Sequence, residues 1–363
     1  MKKEKTAKKL DGAAVVKIAF RLSPVIGAIV GLIIAALFLL LWNVNPWQFF
    51  AELVTGALGS AKAIGNTLNR ATPYMIIGVA TAIAYECGSM NMGQEGQVFM
   101  GGLGAAIVAL AFPNLPAIIA IPFALLGGMV FGALYISIPV IFRLTKGINE
   151  VLITLIMNYV ATLIVSAMVI GPLACTGSSS YPHTDDFGAA YILTNWKNIG
   201  HLHAGIFIAL VVVILGIYFF WVNPMGLRLR IAGFSPMASR TAGISPTKVF
   251  AIGMLLNGAF CGLAGGVELL GRYNNLRGSY ADGIGWDSLI VALLAGLNPK
   301  GVLPAALFFG ALYTGINSMQ RTLGVPSALL SLIKGCIMVF IMTGTAIQKY
   351  HKFKAKKLEK KEV

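Results

Sequence analysis

The sequence predicts an all-α polytopic membrane protein of about ten transmembrane helices, some short or discontinuous, with both termini cytoplasmic. Three observations predict it. Hydrophobic residues make up 57% of the 363 and charged residues 11%, against about 25% charged in an ordinary soluble domain, and the mean hydropathy is +0.80. Apolar runs near the roughly 20 residues needed to cross the hydrocarbon core recur along the chain. Basic residues collect beside them, seven Lys and Arg in 1–23 and seven in 348–363. The formal charge of +15 thus sits where cytoplasmic flanks meet anionic lipids, which argues against nucleic acid as a partner.

In chain order, 1–23 is a basic cytoplasmic N-terminal segment. The apolar run 24–42 has no small-residue cleavage site after it, so it reads as a retained helix rather than a signal peptide. Across the transmembrane portion, 24–347, the expected spans are 24–42, 71–86, 95–112, 116–142, 149–173, 204–222, 249–271, 285–299, 301–319 and 326–347. The second and eighth are short, as discontinuous or tilted helices are. Residues 47–60 read as an amphipathic surface helix. With the N-terminus inside, 21 Lys and Arg fall on the inner side and 6 on the outer, Arg70 among the latter. That asymmetry makes 348–363 a cytoplasmic tail.

The outside loop 174–203 holds three of the four histidines. Its spacing matches no metal signature, and it reads as an exposed loop. Cys87, Cys175, Cys261 and Cys336 are scattered, three of them in or beside apolar segments where a free thiol packs as a small hydrophobe.

Residues 86–112, ECGSMNMGQEGQVFMGGLGAAIVALAF, carry the densest chemical signal. Asn91, Gln94, Glu95 and Gln97 stand between two apolar segments, with Gly88, Gly93, Gly96 and Gly101 in or beside them. Backbone broken inside a bilayer must be satisfied by the protein, and broken polar helices near the midplane build pathways for polar solutes. Two readings stay open here: a solute path, or a short polar loop between helices. A helix would spread residues 91, 95 and 97 over two faces, so one shared polar face requires locally extended backbone.

In 147–160, Asn149 suits an N-cap and Glu150 a first helical turn. Thr154 and Asn158, at i and i+4, share one face, for interhelical hydrogen bonding or for solute contact. Glu268 and Lys334 are isolated charges inside spans seven and ten, each costly against lipid. Glu268 is expected near the outer surface with access to water, and a structural ion pair is preferred to a transport role.

The inside loop 223–248 is basic and punctuated. Asn223-Pro224 ends the preceding helix. Ser235-Pro236 starts a short helix that stops at Gly243, and Ser245-Pro246 starts the next span. The result is a rigid element lying along the membrane. The chain has no G-x-x-x-x-G-K-S/T phosphate loop and no nucleophile or zinc-hydrolase motif. It is therefore not expected to be an enzyme, and any ATP must bind another chain.

Taken in order, NMGQEGQ (91–97), EVLITLIMNY (150–159), GLRLRIAGFSPMASRTAGIS (226–245) and GLNPKGVLPAALFFGAL (296–312) resemble the membrane permeases of ATP-binding-cassette importers. The branch is the one containing ribose, branched-chain amino acid and nucleoside permeases. The first motif looks like the N-x-G-x-E-G-Q pattern of the nucleoside subgroup, and the resemblance runs from about residue 24 to 347.

The resemblance implies a plasma-membrane path for a small polar solute, most of all a nucleoside, with a pentose as the alternative within the family. Asn91, Gln94, Glu95, Gln97, Thr154 and Asn158 are the expected path residues. Gly233, Ser235, Pro236, Ala238, Ser239, Arg240 and Gly243 would couple to the ATPase. The implied partners are cytoplasmic ATP-binding subunits holding ATP and Mg, a second permease chain, identical or homologous, and an extracytoplasmic solute-binding protein. This chain itself would hold no cofactor and no metal. Phe234 and Met237 depart from the polar or acidic residues common in that loop, and Met92 replaces a more usual Ile. The competing class is an ion-coupled secondary transporter, which also explains broken helices but leaves the coupling-like loop without a partner.

Overall fold

Helices carry nearly all the regular structure. A computed structural model describes residues 23–40, 45–177, 180–324 and 326–359. Residues 1–22, 41–42 and 360–363, which complete the expected N-terminal segment, first span and tail, lie outside the described residues. The helices are α1 (Ser23–Leu39), α2 (Pro46–Leu58), α3 (Ala61–Glu86), α4 (Gln94–Ala111), α5 (Ala117–Lys146), α6 (Glu150–Ile170), α7 (Gly205–Trp221), α8 (Pro224–Phe234), α9 (Pro236–Thr241), α10 (Pro246–Arg272), α11 (Ile284–Leu294), α12 (Pro299–Thr322) and α13 (Ser327–Glu359). Two short strands, β1 (Asn195–Trp196) and β2 (Leu202–His203), pair antiparallel.

Every expected apolar segment coincides with one of these helices. Helices α5, α6, α10 and α12 are each long and apolar enough to cross a membrane, and α7 with α8 forms a bent pair at 67°. Helix α11 falls short of the expected span 285–299. Its 11 residues rise only about 16 Å, roughly half of a hydrocarbon core about 30 Å thick.

Three expectations need correction. Helix α3 begins ten residues before the expected span 71–86, so Arg70, expected in an outside loop, is buried inside it. Residues 224–234, read as loop, form α8. There Asn223 Oδ1 accepts the Met225 N–H at 2.7 Å and Pro224 takes the first helical position, so the pair that stops α7 also starts a helix. The loop 174–203, expected to lie exposed, is folded over the 270–277 segment. Thr184 N–H donates to the Leu276 carbonyl, Phe187 N–H to that of Asn274 and Leu193 N–H to that of Leu270, and His203 is fully buried.

The chain divides into two compact units. In the unit made of 1–56 and 315–363, α1 packs on α13 through glycines. Gly27 and Gly31 lie against Phe340 and Ile337, and Gly344 lies against Ser23, whose hydroxyl donates to the Gly344 carbonyl at 2.7 Å. The unit spanning 57–314 is organised around α4, which is buried along most of its length. Small residues explain how. Gly101 of α4 meets Gly262 of α10, while Gly128 and Gly132 of α5 meet Gly262 and Gly258. Lipid offers no hydrophobic drive between helices, so close backbone approach at small residues is what holds such crossings.

Gly262→Ala sets a methyl against the Gly128 carbonyl and is expected to cost about 1–3 kcal/mol by overpacking, read as a lower thermal midpoint of the purified chain. Gly335→Ala meets nothing within 4 Å and leaves the midpoint unchanged or higher. Equal midpoints would contradict this packing.

Candidate functional site

The helix break between α3 and α4 is a built object. Glu86 ends α3, and the Ser89 N–H returns to the Ala84 carbonyl while the Gly88 N–H returns to that of Tyr85. Gly88 has φ +81, a left-handed turn that lacks a Cβ penalty only in glycine. The strap 89–93 then runs without helix to Gln94.

Side chains from α4, α6 and α10 hold the strap, and α3 ties the first residue of α4. Asn91 Oδ1 accepts the Gly93 N–H at 2.8 Å and Gln97 Nε2 at 3.2 Å. Asn91 Nδ2 donates to Gln97 Oε1 at 2.9 Å and also to Asn257 Oδ1 of α10. From α6, Asn158 Nδ2 donates to the Met92 carbonyl and Asn158 Oδ1 accepts the Gly96 N–H, both at 2.8 Å. Thr154 Oγ1 accepts the Met92 N–H at 3.3 Å. Gln94 Nε2 donates to Thr81 of α3 at 2.7 Å. Asn91, Gln94, Glu95, Gln97, Thr154 and Asn158 are all buried. The structure brings the six together but fans them over several faces, with Asn91 folded back onto Gln97 and Glu95 aimed elsewhere. Among the described residues, two buried polar atoms of this cluster have no hydrogen-bond partner, Gln94 Oε1 and Asn257 Nδ2.

Glu95 meets the second break. After α10, the chain runs back along α4. The Tyr280 hydroxyl donates to the Val98 carbonyl at 2.6 Å. The start of α11 then lands on the Glu95 carboxylate, which accepts N–H groups from Gly283 at 2.5 Å, Gly285 at 2.6 Å and Trp286 at 3.4 Å. A helix start carries orphan N–H groups and positive partial charge. Inside the bundle a carboxylate on a neighbouring helix supplies the acceptors.

One turn on, Asp287 accepts the Tyr74 hydroxyl at 2.7 Å and lies 3.6 Å from Arg70 Nη2. Arg70 Nε donates to Tyr74 Oη at 2.9 Å, and its guanidinium lies 3.8 Å from the centroid of Tyr313. Glu268, expected near water, is wholly buried and pairs with Arg272 at 2.7 Å across one helical turn. Sequence reasoning missed Thr81, Asn257, Arg70, Tyr74 and Asp287. For Glu268 a signal existed, an acid four residues before an arginine.

The loop 223–248 closes the site from one end. Gly233 of α8 lies against the backbone of Glu86–Gly88, so that a Cβ there would strike the Glu86 carbonyl. Ser235 caps α9 through Ala238 N–H at 3.3 Å, with Pro236 in the first turn. Ser239 is buried and donates to the Ile244 carbonyl at 2.9 Å. Gly243, at φ +72, and Ile244 close the end of α9 by returning N–H groups to Arg240 and Ser239. Ala238 and Arg240 are exposed, and Phe234 and Met237 are each 81% exposed, so this rigid turn displays apolar side chains outward.

Comparison with known proteins adds one family match and three relatives. Residues 63–342 match the family described as branched-chain amino acid transport system / permease component. The chain is similar to the guanosine ABC transporter permease protein NupP of Bacillus subtilis (strain 168), at 32% identity over 95% of this chain and 98% of that protein. It is similar to the nucleoside ABC transporter permease protein NupB of Lactococcus lactis subsp. cremoris, at 31% over 88% and 90%. It is also similar to the glucose ABC transporter permease protein TsgB13 of Haloferax volcanii, at 28% over 90% and 88%.

Asn158→Ala orphans the Met92 carbonyl and the Gly96 N–H together. At about 1–3 kcal/mol for each buried group left unpaired, the thermal midpoint of the purified chain falls clearly below that of Thr162→Ala, whose hydroxyl bonds only backbone carbonyls of its own helix. Matching midpoints would mean that Asn158 does not hold the strap.

Proposed function

The chain belongs to the family of branched-chain amino acid transport system permease components, and from that premise we propose that it forms the solute path of an ATP-driven nucleoside importer. It is a multi-pass protein of the plasma membrane. The observation that carries the nucleoside is similarity along nearly the whole chain to guanosine and nucleoside permeases. The glucose permease relative favours a second reading, a simple sugar. A pentose is the part of a nucleoside that the two readings share, and amide and carboxylate side chains serve hydroxyl-rich solutes in either case.

In this proposal both termini are cytoplasmic and the chain crosses about ten times. One crossing is the broken element made of residues 273–283 and α11. ATP and Mg are held by cytoplasmic partner subunits, a second permease chain completes the path, and a solute-binding protein docks on the folded loop 174–203. The ATPase grips α9, where Ser235, Pro236, Ala238, Ser239, Arg240 and Gly243 form the docking turn. Gly233 passes the movement on, because it abuts the end of α3 where the strap begins. Asn91, Gln94, Glu95, Gln97, Thr154 and Asn158 border the path, and Gln94 Oε1 offers an acceptor that the protein has left unused.

The test is uptake into proteoliposomes that hold the chain with its ATPase and binding-protein partners. ATP-dependent uptake of labelled guanosine supports the proposal. Uptake of sugar alone turns it to the second reading, and uptake driven by an ion gradient without ATP overturns both. Gly243→Val strains a left-handed position by about 1–2 kcal/mol. It should weaken ATPase association up to roughly tenfold, measured by co-purification, while the chain still inserts. Asn91→Ala and Gln97→Ala should lower uptake with assembly retained. Loss of uptake only through collapse of the complex would make these two residues structural.

A further inference from the structure

The bend between α7 and α8 gathers positive charge around one exposed indole. Trp221 ends the apolar helix α7 and is 53% exposed. The guanidinium of Arg230, from α8, lies 5.3 Å from the centre of its ring, and Lys300 Nζ, from the first turn of α12, lies 4.6 Å from it. Each contact is favourable by itself, because a cation is drawn to an aromatic face. Two cations on one ring also repel each other, and among the described residues neither makes an ion pair. Glu86 is near enough to feel the charge of Arg230 but does not pair with it. Arg230 Nε is shielded from solvent and has no acceptor.

The apolar surroundings name the occupant. Tyr218 and Val222 flank Trp221 and are 54% and 65% exposed. A tryptophan at the end of an apolar helix is at home in the headgroup layer, with apolar neighbours toward the acyl chains. Unpaired Arg and Lys there attract anionic lipid. We propose that Trp221, Arg230 and Lys300 form a binding site for the phosphate headgroup of an anionic phospholipid. The phosphate accepts from the part of the half-buried Arg230 guanidinium that faces out and from Lys300 and relieves their repulsion, while the acyl chains lie along Tyr218 and Val222. A lipid seated there braces the α7–α8 bend. The inference needs only a membrane-embedded chain and does not depend on the solute transported.

The test is native mass spectrometry of the full chain released from nanodiscs that hold phosphatidylglycerol and phosphatidylcholine in equal amounts. Wild type should retain phosphatidylglycerol preferentially. Arg230→Gln or Lys300→Gln should reduce that retention about fivefold each, equivalent to about 1 kcal/mol per charge. Arg230→Lys, which keeps the charge, should retain most of it. Added inorganic phosphate should leave the lipid in place, and rising salt should weaken retention by wild type. Equal retention of the two lipids, or variants that match wild type, would overturn the proposal. So would salt-independent binding, and displacement by free phosphate would replace the lipid with a soluble anion. If a Gln variant fails to fold, the Arg230→Lys variant and the wild-type salt series still decide.

Discussion

The carboxylate of Glu95 sits on the start of α11, and the arrangement of the 57–314 unit follows from it. Helix α11 begins against the bundle, where Ile284, Gly285 and Asp287 are buried and its first N–H groups need acceptors from the protein. An unpaired backbone group in that setting costs several kcal/mol. Glu95 accepts from Gly283, Gly285 and Trp286, so α4 and α11 are held in one register. That register places Asp287 against Arg70 and Tyr74, which ties the half-helix to α3 as well. One charged side chain therefore joins the two breaks in this unit.

The first break depends on the same economy. The strap 89–93 has no helix to satisfy it, and Asn91, Thr154, Asn158 and Gln97 take that role. Each of these polar residues closes a backbone group or another amide. Beside this rigid knot lies α8, whose Gly233 rests on the turn at Gly88. The segment that leads into the exposed turn formed by α9 therefore meets the strap's first turn backbone to backbone, without a flexible side chain between.

Much of this was legible in the sequence and some was not. Apolar runs located the helices, because membrane spans are read from composition along a single stretch. Local signals also worked. Asn149 caps α6, Ser235 and Ser245 cap the helices that follow them, and Gly243 ends a helix in the left-handed turn. The polar cluster at 91–97 stood out against its apolar flanks. What escaped was long-range pairing. Nothing near Glu95 announces that its partners lie about 190 residues away, and Asn257 is one amide in a glycine-rich helix until it meets Asn91. Arg70 reads as a positive charge outside the membrane until Asp287 and Tyr74 are brought to it. Helix α8 was hidden because its Asn-Pro start doubles as a stop for α7, and its arginines lower the apolar signal.

The central claim is that the Glu95 carboxylate holds the start of α11, and amide hydrogen exchange measures it most directly. In Glu95→Gln the side chain keeps its size but loses its charge and turns an N–H donor toward N–H donors. Hydrogen bonds to a charged group contribute roughly 1.5–3 kcal/mol. Exchange at Gly285 and Trp286 should therefore quicken about tenfold or more, while residues of α5, which make none of these contacts, keep their protection. Unchanged exchange at Gly285 and Trp286 in a folded Glu95→Gln protein would contradict the account.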